Sequence, residues 1–178
     1  MNISFKEILL TEVYADMLLD FNRYQYVHND WFPDKNGGYY LVYQPHEENW
    51  SDTRKREIVN QLRSTLGNGG KLFGAYHKGE LIGFASLDGK LLGSKKQYVE
   101  LTWFHVSYEY RGNKIGKQLF NMCAAAAEQC DCSKIYIVAS SSEESQKAYS
   151  KLGCVYAKEY IPALYEQRPN DVHMEYVL

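Results

Sequence analysis

The sequence predicts one domain of the α/β (α+β) class, residues 1–178, in which helices cover both faces of a mixed sheet. Its 178 residues are enough for one core and too few for two comfortable ones. A content of 45% hydrophobic and 24% charged residues is typical of a globular chain. From residue 71 onward, strand-like and helix-like segments follow in the order strands, helix, strand, helix, strands, which is typical of a sheet with helices packed on it.

Charge and hydropathy exclude several classes of partner. Twenty Lys plus Arg stand against 22 Asp plus Glu, whereas a protein that binds nucleic acid or an anionic membrane carries a basic excess. The longest apolar run, 122–127, is six residues long and too short to cross a bilayer. The start lacks a secretory h-region, and the four cysteines lack zinc spacing. We therefore expect a cytoplasmic protein with reduced cysteines and without nucleic-acid, membrane or metal partners.

Hydrophobic periodicity predicts the N-terminal elements. Residues 3–9 alternate as a strand, Thr11 begins an amphipathic helix that reaches Phe21, and a second helix fits 52–66. Between them, 21–52 is rich in aromatic and acidic residues, and turn-forming residues predict irregular structure there. Those residues are Pro33, Gly37, Gly38 and Pro45.

The sequence of residues 71–178 predicts most of the strands of the sheet. Lys78 and Gly79 suit a hairpin turn, a helix begins at Ile115, and a capping box of Ser141 with Glu144 opens another helix that ends at Gly153. The predicted strands are 71–77, 80–87, 98–106, 133–139, 154–160 and 172–178.

The loop from Arg111 to Gly116 is a candidate anion site. It follows a strand and opens a helix, so unpaired N–H groups and the positive end of the helix dipole suit a phosphate. Gly112 and Gly116 permit close approach of a ligand to the main chain, and Lys114 and Lys117 add positive charge. The loop has neither the Rossmann nor the Walker spacing, and alone it fits a solvated turn equally well.

Two motifs in this order resemble the GNAT superfamily of acetyl-CoA-dependent N-acetyltransferases. Residues 106–116 read VSYEYRGNKIG, which is similar to the family string V-x-P-x-Y-R-G around its [Q/R]-x-x-G-x-[G/A] signature. Residues 148–154 read AYSKLGC, which is similar to F-Y-x-K-x-G-F at the end of a helix. Lys114 stands where the family usually has Gly, Tyr108 replaces Pro, and Cys154 replaces an aromatic residue. The resemblance is firm over 98–154 and looser over 71–178.

The resemblance implies a mostly antiparallel sheet of six or seven strands and a reaction between acetyl-CoA and an amine acceptor. It implies that the helix-start loop takes the pyrophosphate and that a splayed strand edge pairs with the amide arm of the cofactor. It also implies a backbone N–H near Val106 for the thioester carbonyl. The residues that it assigns to the cofactor are Phe104, His105, Val106, Arg111, Gly112, Asn113, Lys114, Ile115, Gly116 and Ser142.

Glu100 and Tyr149 are the candidate catalytic residues. Glu100 is an acid in an otherwise apolar strand and matches the position of a catalytic Glu in some members of the family, so it is the candidate base. His105, which strand alternation places on the opposite face, is the rival base, and a water chain is a further one. Tyr149 is the matched general acid for the departing thiolate. Each residue also has a purely structural reading, as a solvated, packed or core side chain.

The acceptor and the assembly stay open at this stage. The aromatic and acidic stretch 21–52 suits a cationic amine, or it is a packed surface loop. A polyamine, an aminoglycoside-like antibiotic, an amino acid and a protein terminus are all candidate acceptors. A homodimer is a candidate assembly. The alternative function is a non-catalytic acyl-CoA-binding sensor or partner module of the same fold.

Overall fold

Seven strands form the central sheet of the computed structural model, which describes residues 1–35 and 38–178. In chain order, the strands of the described residues are β1 (Ser4–Glu7), β2 (Gln25–Pro33), β3 (Tyr39–Glu48), β4 (Lys71–His77), β5 (Glu80–Leu92), β6 (Tyr98–Val106), β7 (Lys134–Ala139), β8 (Val155–Tyr156) and β9 (Val172–Val177). Two of them, β2 and β3, form a separate sheet. The helices are α1 (Asp52–Gly67), α2 (Ile115–Ala127), α3 (Glu143–Lys151) and α4 (Pro162–Gln167). The sheet order is β1-β4-β5-β6-β7-β9-β8, with β6 and β7 parallel and the other neighbours antiparallel. The predicted mixed, mostly antiparallel sheet is confirmed.

The two long helices pack on opposite faces of this sheet. On one face, Ile58 and Leu62 of α1 are buried against Phe84 of β5. On the other face, Leu119 and Phe120 of α2 lie in a separate core cluster. Each helix presents an apolar stripe, so the sheet is desolvated on both sides and helices on both faces are confirmed.

The helix predicted from Thr11 is wrong. Only a short 3-10 helix, Leu10–Glu12, forms, and successive turns follow, in which Met17 N donates to Tyr14 O (3.2 Å) and Phe21 N to Leu18 O (3.0 Å). The predicted apolar residues are nevertheless buried beside α1. A chain of turns buries the same side chains as a helix would, and hydropathy spacing does not distinguish the two.

The prediction of irregular structure over 21–52 is also wrong for most of the segment. β2 and β3 form a separate antiparallel hairpin, with Pro33 at the end of β2. A two-stranded ribbon has only edge strands, which tolerate proline. The hairpin attaches to the rest of the protein near α3, where Trp31 N donates to Ser141 O at 2.8 Å. The predicted breaker Gly37 lies outside the described residues.

Three further boundaries differ from the predictions. Ser142, not Ser141, caps α3, and its Oγ accepts a hydrogen bond from Ser145 N at 3.3 Å. The last predicted strands shrink to the two-residue β8 and to β9, and α4 between them was not predicted. The turn at Lys78 and Gly79 is confirmed, with φ of 51° and 87°. Within the described ranges, no helix is both long and apolar enough to cross a membrane.

Candidate active site

A cleft of about 1190 Å³ opens where β6 and β7 separate. The two strands pair in parallel only between Tyr98–Leu101 and residues 134–137, whereas β6 continues to Val106. Five segments line the cleft: residues 102–106, the end of β7, α3, the loop before α2 and the residues after α4. The local separation of two sheet strands therefore produces a deep cleft beside the predicted motifs.

The open edge of β6 exposes backbone groups that suit an extended amide ligand. Ser107 N donates to Ile82 O at 2.9 Å, on the β5 side. Because successive residues of a strand point their main-chain groups to alternate edges, Phe104 and Val106 point theirs into the cleft, while those of His105 turn toward β5. Arg111 Nε donates to the Val106 carbonyl oxygen at 3.0 Å, which leaves the Val106 N–H facing the cleft. An extended chain can add to such an edge.

A β-bulge at Thr102 changes which side chains share a face of β6. Ser86 of β5 stands opposite Trp103, but its neighbour Leu87 stands opposite Leu101, so β6 carries one extra residue. The face of β6 that packs toward α2 accordingly carries Val99, Leu101, Phe104 and Val106. Simple alternation had placed Glu100 and His105 on opposite faces; that prediction is wrong, because the bulge returns both side chains to the α1 face.

Glu100 is a buried carboxyl group that lines the cleft. The residue is 8% exposed. Burial raises its pKa to about 6; the positive charge of Arg168 acts in the opposite direction, and the negative charge of Asp88 adds to the rise. A carboxyl group with a pKa near neutrality can accept a proton without remaining fully protonated, which is what a general base requires.

His105 is a neutral ring in an aromatic cluster. Its ring centroid lies 4.7 Å from that of Trp50 and 5.8 Å from those of Phe84 and Trp103. Burial, and then the positive charges of two nearby arginines, hold its pKa well below the ordinary value. A ring whose pKa is held well below the ordinary value is a weak proton acceptor at neutral pH, and the packing of His105 supports a structural role.

Tyr149 approaches the cleft from the opposite face of the sheet. It lies on α3, and its ring centroid is 5.7 Å from that of Phe104, on the side of α2. Burial raises its pKa above that of an ordinary phenol, so the hydroxyl stays protonated. Among the described residues, that hydroxyl has no hydrogen-bond partner, and it remains available to a ligand in the cleft.

The loop before α2 has the geometry of an anion site. Lys114 is the N-cap residue of α2 and adopts a left-handed φ of 61°, the conformation for which glycine is the usual choice. No side chain caps this helix start, so its first N–H groups stay available. Asn113 Nδ2 donates to Tyr110 O (3.1 Å) and Arg111 O (3.2 Å) and thereby holds the loop. The loop residues that line the cleft are Arg111, Gly112, Lys114, Ile115 and Gly116.

Ser142 does not line this cleft. It is fully buried, caps α3 and accepts a hydrogen bond from Gln25 Nε2 at 3.2 Å, so it joins the hairpin to α3. The neighbouring Ser140 and Ser145 line the cleft instead. The position that the resemblance assigned to cofactor binding therefore has a structural task in this chain.

The acids of the hairpin and the acids of the cleft are different residues. Asp30 is buried and accepts a hydrogen bond from Ser141 Oγ at 2.9 Å, and Glu47 accepts one from Tyr24 at 3.2 Å. The carboxylates that line the cleft belong to Glu100, Glu144 and Asp171. Sequence reasoning missed Asp171 and the preceding Arg168; Pro162, at the start of α4, is the signal for a helix that positions them.

A seven-stranded sheet with a cleft at a splayed parallel strand pair defines the class of GNAT-fold proteins. The family model described as "Acetyltransferase (GNAT) family" matches residues 21–154. The chain therefore belongs to the GNAT acetyltransferase family. None of the curated proteins compared with the sequence matches it.

Solved structures share the fold at low sequence identity. A nourseothricin acetyltransferase has a TM-score of 0.72 and 15% identity, with 99% of each chain covered. A protein from Bacillus anthracis str. Ames, named as a streptothricin acetyltransferase and solved with acetyl coenzyme A, has a TM-score of 0.71 and 14% identity over 100% of this chain and 98% of that one. A PaiA N-acetyltransferase from Thermoplasma acidophilum, solved with coenzyme A, has a TM-score of 0.58 and 15% identity over 100% of both chains.

Proposed function

We propose that this chain transfers the acetyl group of acetyl-CoA to a primary amine by direct attack in a ternary complex. The observation that carries the proposal is the placement of Glu100 and Tyr149 on opposite faces of β6, with the open strand edge between them. A base on one side and an acid on the other suit an amine that attacks a thioester held in the gap. Holding both reactants in place then removes the need for a covalent enzyme intermediate.

Each remaining part of the cleft has one task in this reaction. The start of α2 and its loop hold the pyrophosphate, and the edge at Phe104 and Val106 pairs with the amide arm. The Val106 N–H stabilises the developing charge on the thioester oxygen. Glu100 takes a proton from the ammonium group of the acceptor, and the neutral amine then attacks the thioester carbon. As the C–S bond breaks, Tyr149 gives its proton to the departing thiolate, and the second proton that the nitrogen loses returns to the tyrosine through solvent.

We further propose that the acceptor is a small cationic amine or a peptide amine. Three carboxylates, Glu100, Glu144 and Asp171, line the same cleft, and an acceptor with a second positive charge complements them. One structure of the same fold is named as a nourseothricin acetyltransferase and another as a streptothricin acetyltransferase, so these two compounds are the first named acceptors to test.

Release of free CoA thiol, followed with a thiol reagent across matched mono-, di- and polyamines, tests this function. We expect release with at least one amine and a preference for acceptors with a second positive charge. If acetyl-CoA binds but no amine releases thiol, the chain is an acyl-CoA-binding module. If monoamines of equal length perform as well as diamines, the assignment of a cationic acceptor is wrong.

Replacing Gly116 with valine should weaken acetyl-CoA binding. A Cβ at this position lies 3.3 Å from Phe104 Cζ, at the helix start that we assign to the pyrophosphate. At 100 times its Kd, a ligand stabilises the folded state by about 2.7 kcal/mol, or roughly 5–10 °C in a domain of this size. We expect most of that thermal shift to be lost in Gly116→Val.

Gly67→Val is the matched control, since nothing lies within 4 Å of a Cβ at Gly67, at the far end of α1. Its ligand-induced shift should equal that of the unchanged protein, whatever its own melting temperature. Equal shifts in all three proteins would contradict the assignment of the loop.

The domain organisation, cellular location and oligomeric state of the protein were expectations from the sequence, and they stay proposals. We propose a single domain over residues 1–178, a cytoplasmic location, and a homodimer as the first assembly to test. Light scattering after gel filtration measures the assembly directly.

A further inference from the structure

Arg168 lies between two carboxylates at the acceptor side of the cleft. Its Nη2 is 3.7 Å from Glu100 Oε1, and its Nη1 is 3.7 Å from Asp171 Oδ2. The Arg168 side chain is 43% exposed, whereas those of Glu100 and Asp171 are 10% and 26% exposed. A partly solvated guanidinium therefore stands over a nearly buried carboxyl group.

We propose that Arg168 is a positioning residue that keeps Glu100 ionised at neutral pH, in the form that can accept a proton, with Asp171 holding the guanidinium in place. The proposal rests on the proposed function, in which Glu100 is the base. It adds a residue to that function which neither motif contains.

The charges around Glu100 single out Arg168. Burial and the negative charge of Asp88, on β5, both favour the protonated form of Glu100. Tyr136, opposite Glu100 on β7, is a neutral phenol whose pKa is raised by burial to about 12. Of the described groups that act on Glu100, Arg168 alone favours the ionised form.

The other titratable and charged groups near Glu100 and Arg168 do not supply the positive charge that Arg168 supplies. Asp171 is itself a carboxyl group whose pKa burial raises. His105, on the same face of β6, is neutral because its pKa lies well below the ordinary value. Glu48, from the hairpin, acts on Asp171 and forms an ion pair with Arg23 at 2.9 Å.

The distance between the two groups suits this task. At 3.7 Å, the guanidinium attracts the carboxylate but donates no hydrogen bond of normal length to it. With respect to Arg168, and to the part of the chain that the structure describes, both Glu100 oxygens remain free to accept a proton from the acceptor. A bidentate pair with direct hydrogen bonds would hold the same lone pairs and weaken the base.

The pH profile of kcat/KM in Arg168→Gln tests the proposal. Loss of the positive charge raises the pKa of Glu100 further, so the acidic limb, expected at about pH 6, moves to higher pH. An opposite charge within about 4–6 Å lowers a carboxyl pKa by roughly 1–3, and solvent screening favours the lower end. At pH 6, activity relative to its plateau should fall by about three- to tenfold. Arg168→Lys should restore most of the original profile.

Arg54→Gln is the matched control. Arg54 also lines the cleft, but its guanidinium stacks on Trp103, and it is not among the groups that act on Glu100. The position of its acidic limb should stay unchanged, whatever happens to its rate. An acidic limb that is unmoved in Arg168→Gln, or equally displaced in Arg54→Gln, would overturn the role of Arg168.

Direct titration of the Glu100 carboxyl by ¹³C NMR, without substrates, separates this inference from the proposed function. We expect a higher titration midpoint in Arg168→Gln than in the unchanged protein even if no amine is ever acetylated. Should the variant not fold, titration of the unchanged protein in about 1 M salt replaces it, because salt screens a partly exposed pair. If the titration midpoint of Glu100 changes neither in Arg168→Gln nor in high salt, the proposal is wrong.

Discussion

Replacing Tyr149 with phenylalanine is expected to lower turnover by roughly 10²–10⁴-fold, the usual contribution of a positioned acid. The phenol has a higher pKa than a thiol, about 10 against 8.5, and burial raises the pKa of Tyr149 further. Transfer of its proton is therefore favourable only as the C–S bond breaks and negative charge builds on sulfur. Steady-state turnover, under conditions where chemistry limits the rate, measures the effect.

Binding and stability should change little in the same variant. The ring and its contact with Phe104 remain, so affinity for acetyl-CoA should move by less than tenfold, or about 1.4 kcal/mol. Tyr156→Phe, on β8 and outside the cleft, is the matched control and should keep full turnover. If Tyr149→Phe keeps more than about half of the original turnover, Tyr149 is a packing residue and solvent supplies the proton.

Replacing Glu100 with glutamine should lower kcat/KM by roughly 10²–10⁴-fold and remove the acidic limb near pH 6. Glutamine keeps the shape of the side chain but accepts no proton from the ammonium. Asp88→Asn is the matched control, because the charge of Asp88 raises the pKa of Glu100. That variant should keep its rate and move the limb slightly to lower pH. A Glu100→Gln variant with near-normal rates would return Glu100 to a structural role.

The Glu100→Gln substitution, which should lower the rate, should raise the stability of the folded protein at alkaline pH. The pKa of Glu100 is higher in the folded protein than in the unfolded chain, so its favourable contribution is present below the unfolded pKa of about 4.3 and is lost as pH rises through about 6. At pH 8, ionised Glu100 should cost the folded state roughly 2 kcal/mol. Glu100→Gln should therefore be more stable than the unchanged protein at pH 8 but not at pH 4, as urea unfolding would measure.

The elements that the sequence predicts correctly carry their own local signals. In α1, Ile58 and Leu62 mark one buried stripe, and Ser51 caps the helix start. β6 is an aromatic and β-branched run, and Gly112 and Gly116 mark the loop that follows. Because spacing and composition alone determine these features, they can be read without knowledge of the fold.

The features that the sequence does not predict depend on contacts between distant segments. The bulge at Thr102 exists only relative to β5, and its effect on the faces of β6 follows from that register. The place of Arg168 beside Glu100 depends on where the end of α4 lies relative to β6, 68 positions earlier in the chain. Ser142 is another example: the resemblance assigns this position to the cofactor, but its hydroxyl bonds to Gln25 of the hairpin. Nothing in the sequence around Ser142 indicates that contact.

The short pairing of β6 with β7 also has a consequence for the integrity of the molecule. Four residue pairs join the half of the sheet that contains β1, β4, β5 and β6 to the half that contains β7, β9 and β8. An extended molecule that occupies the gap beyond Leu101 borders both halves at once. In the proposed reaction, acetyl-CoA would thus bridge the two halves of the sheet as well as donate acetyl groups. Its departure would leave the four residue pairs of β6 and β7 as the strand pairing between the two halves.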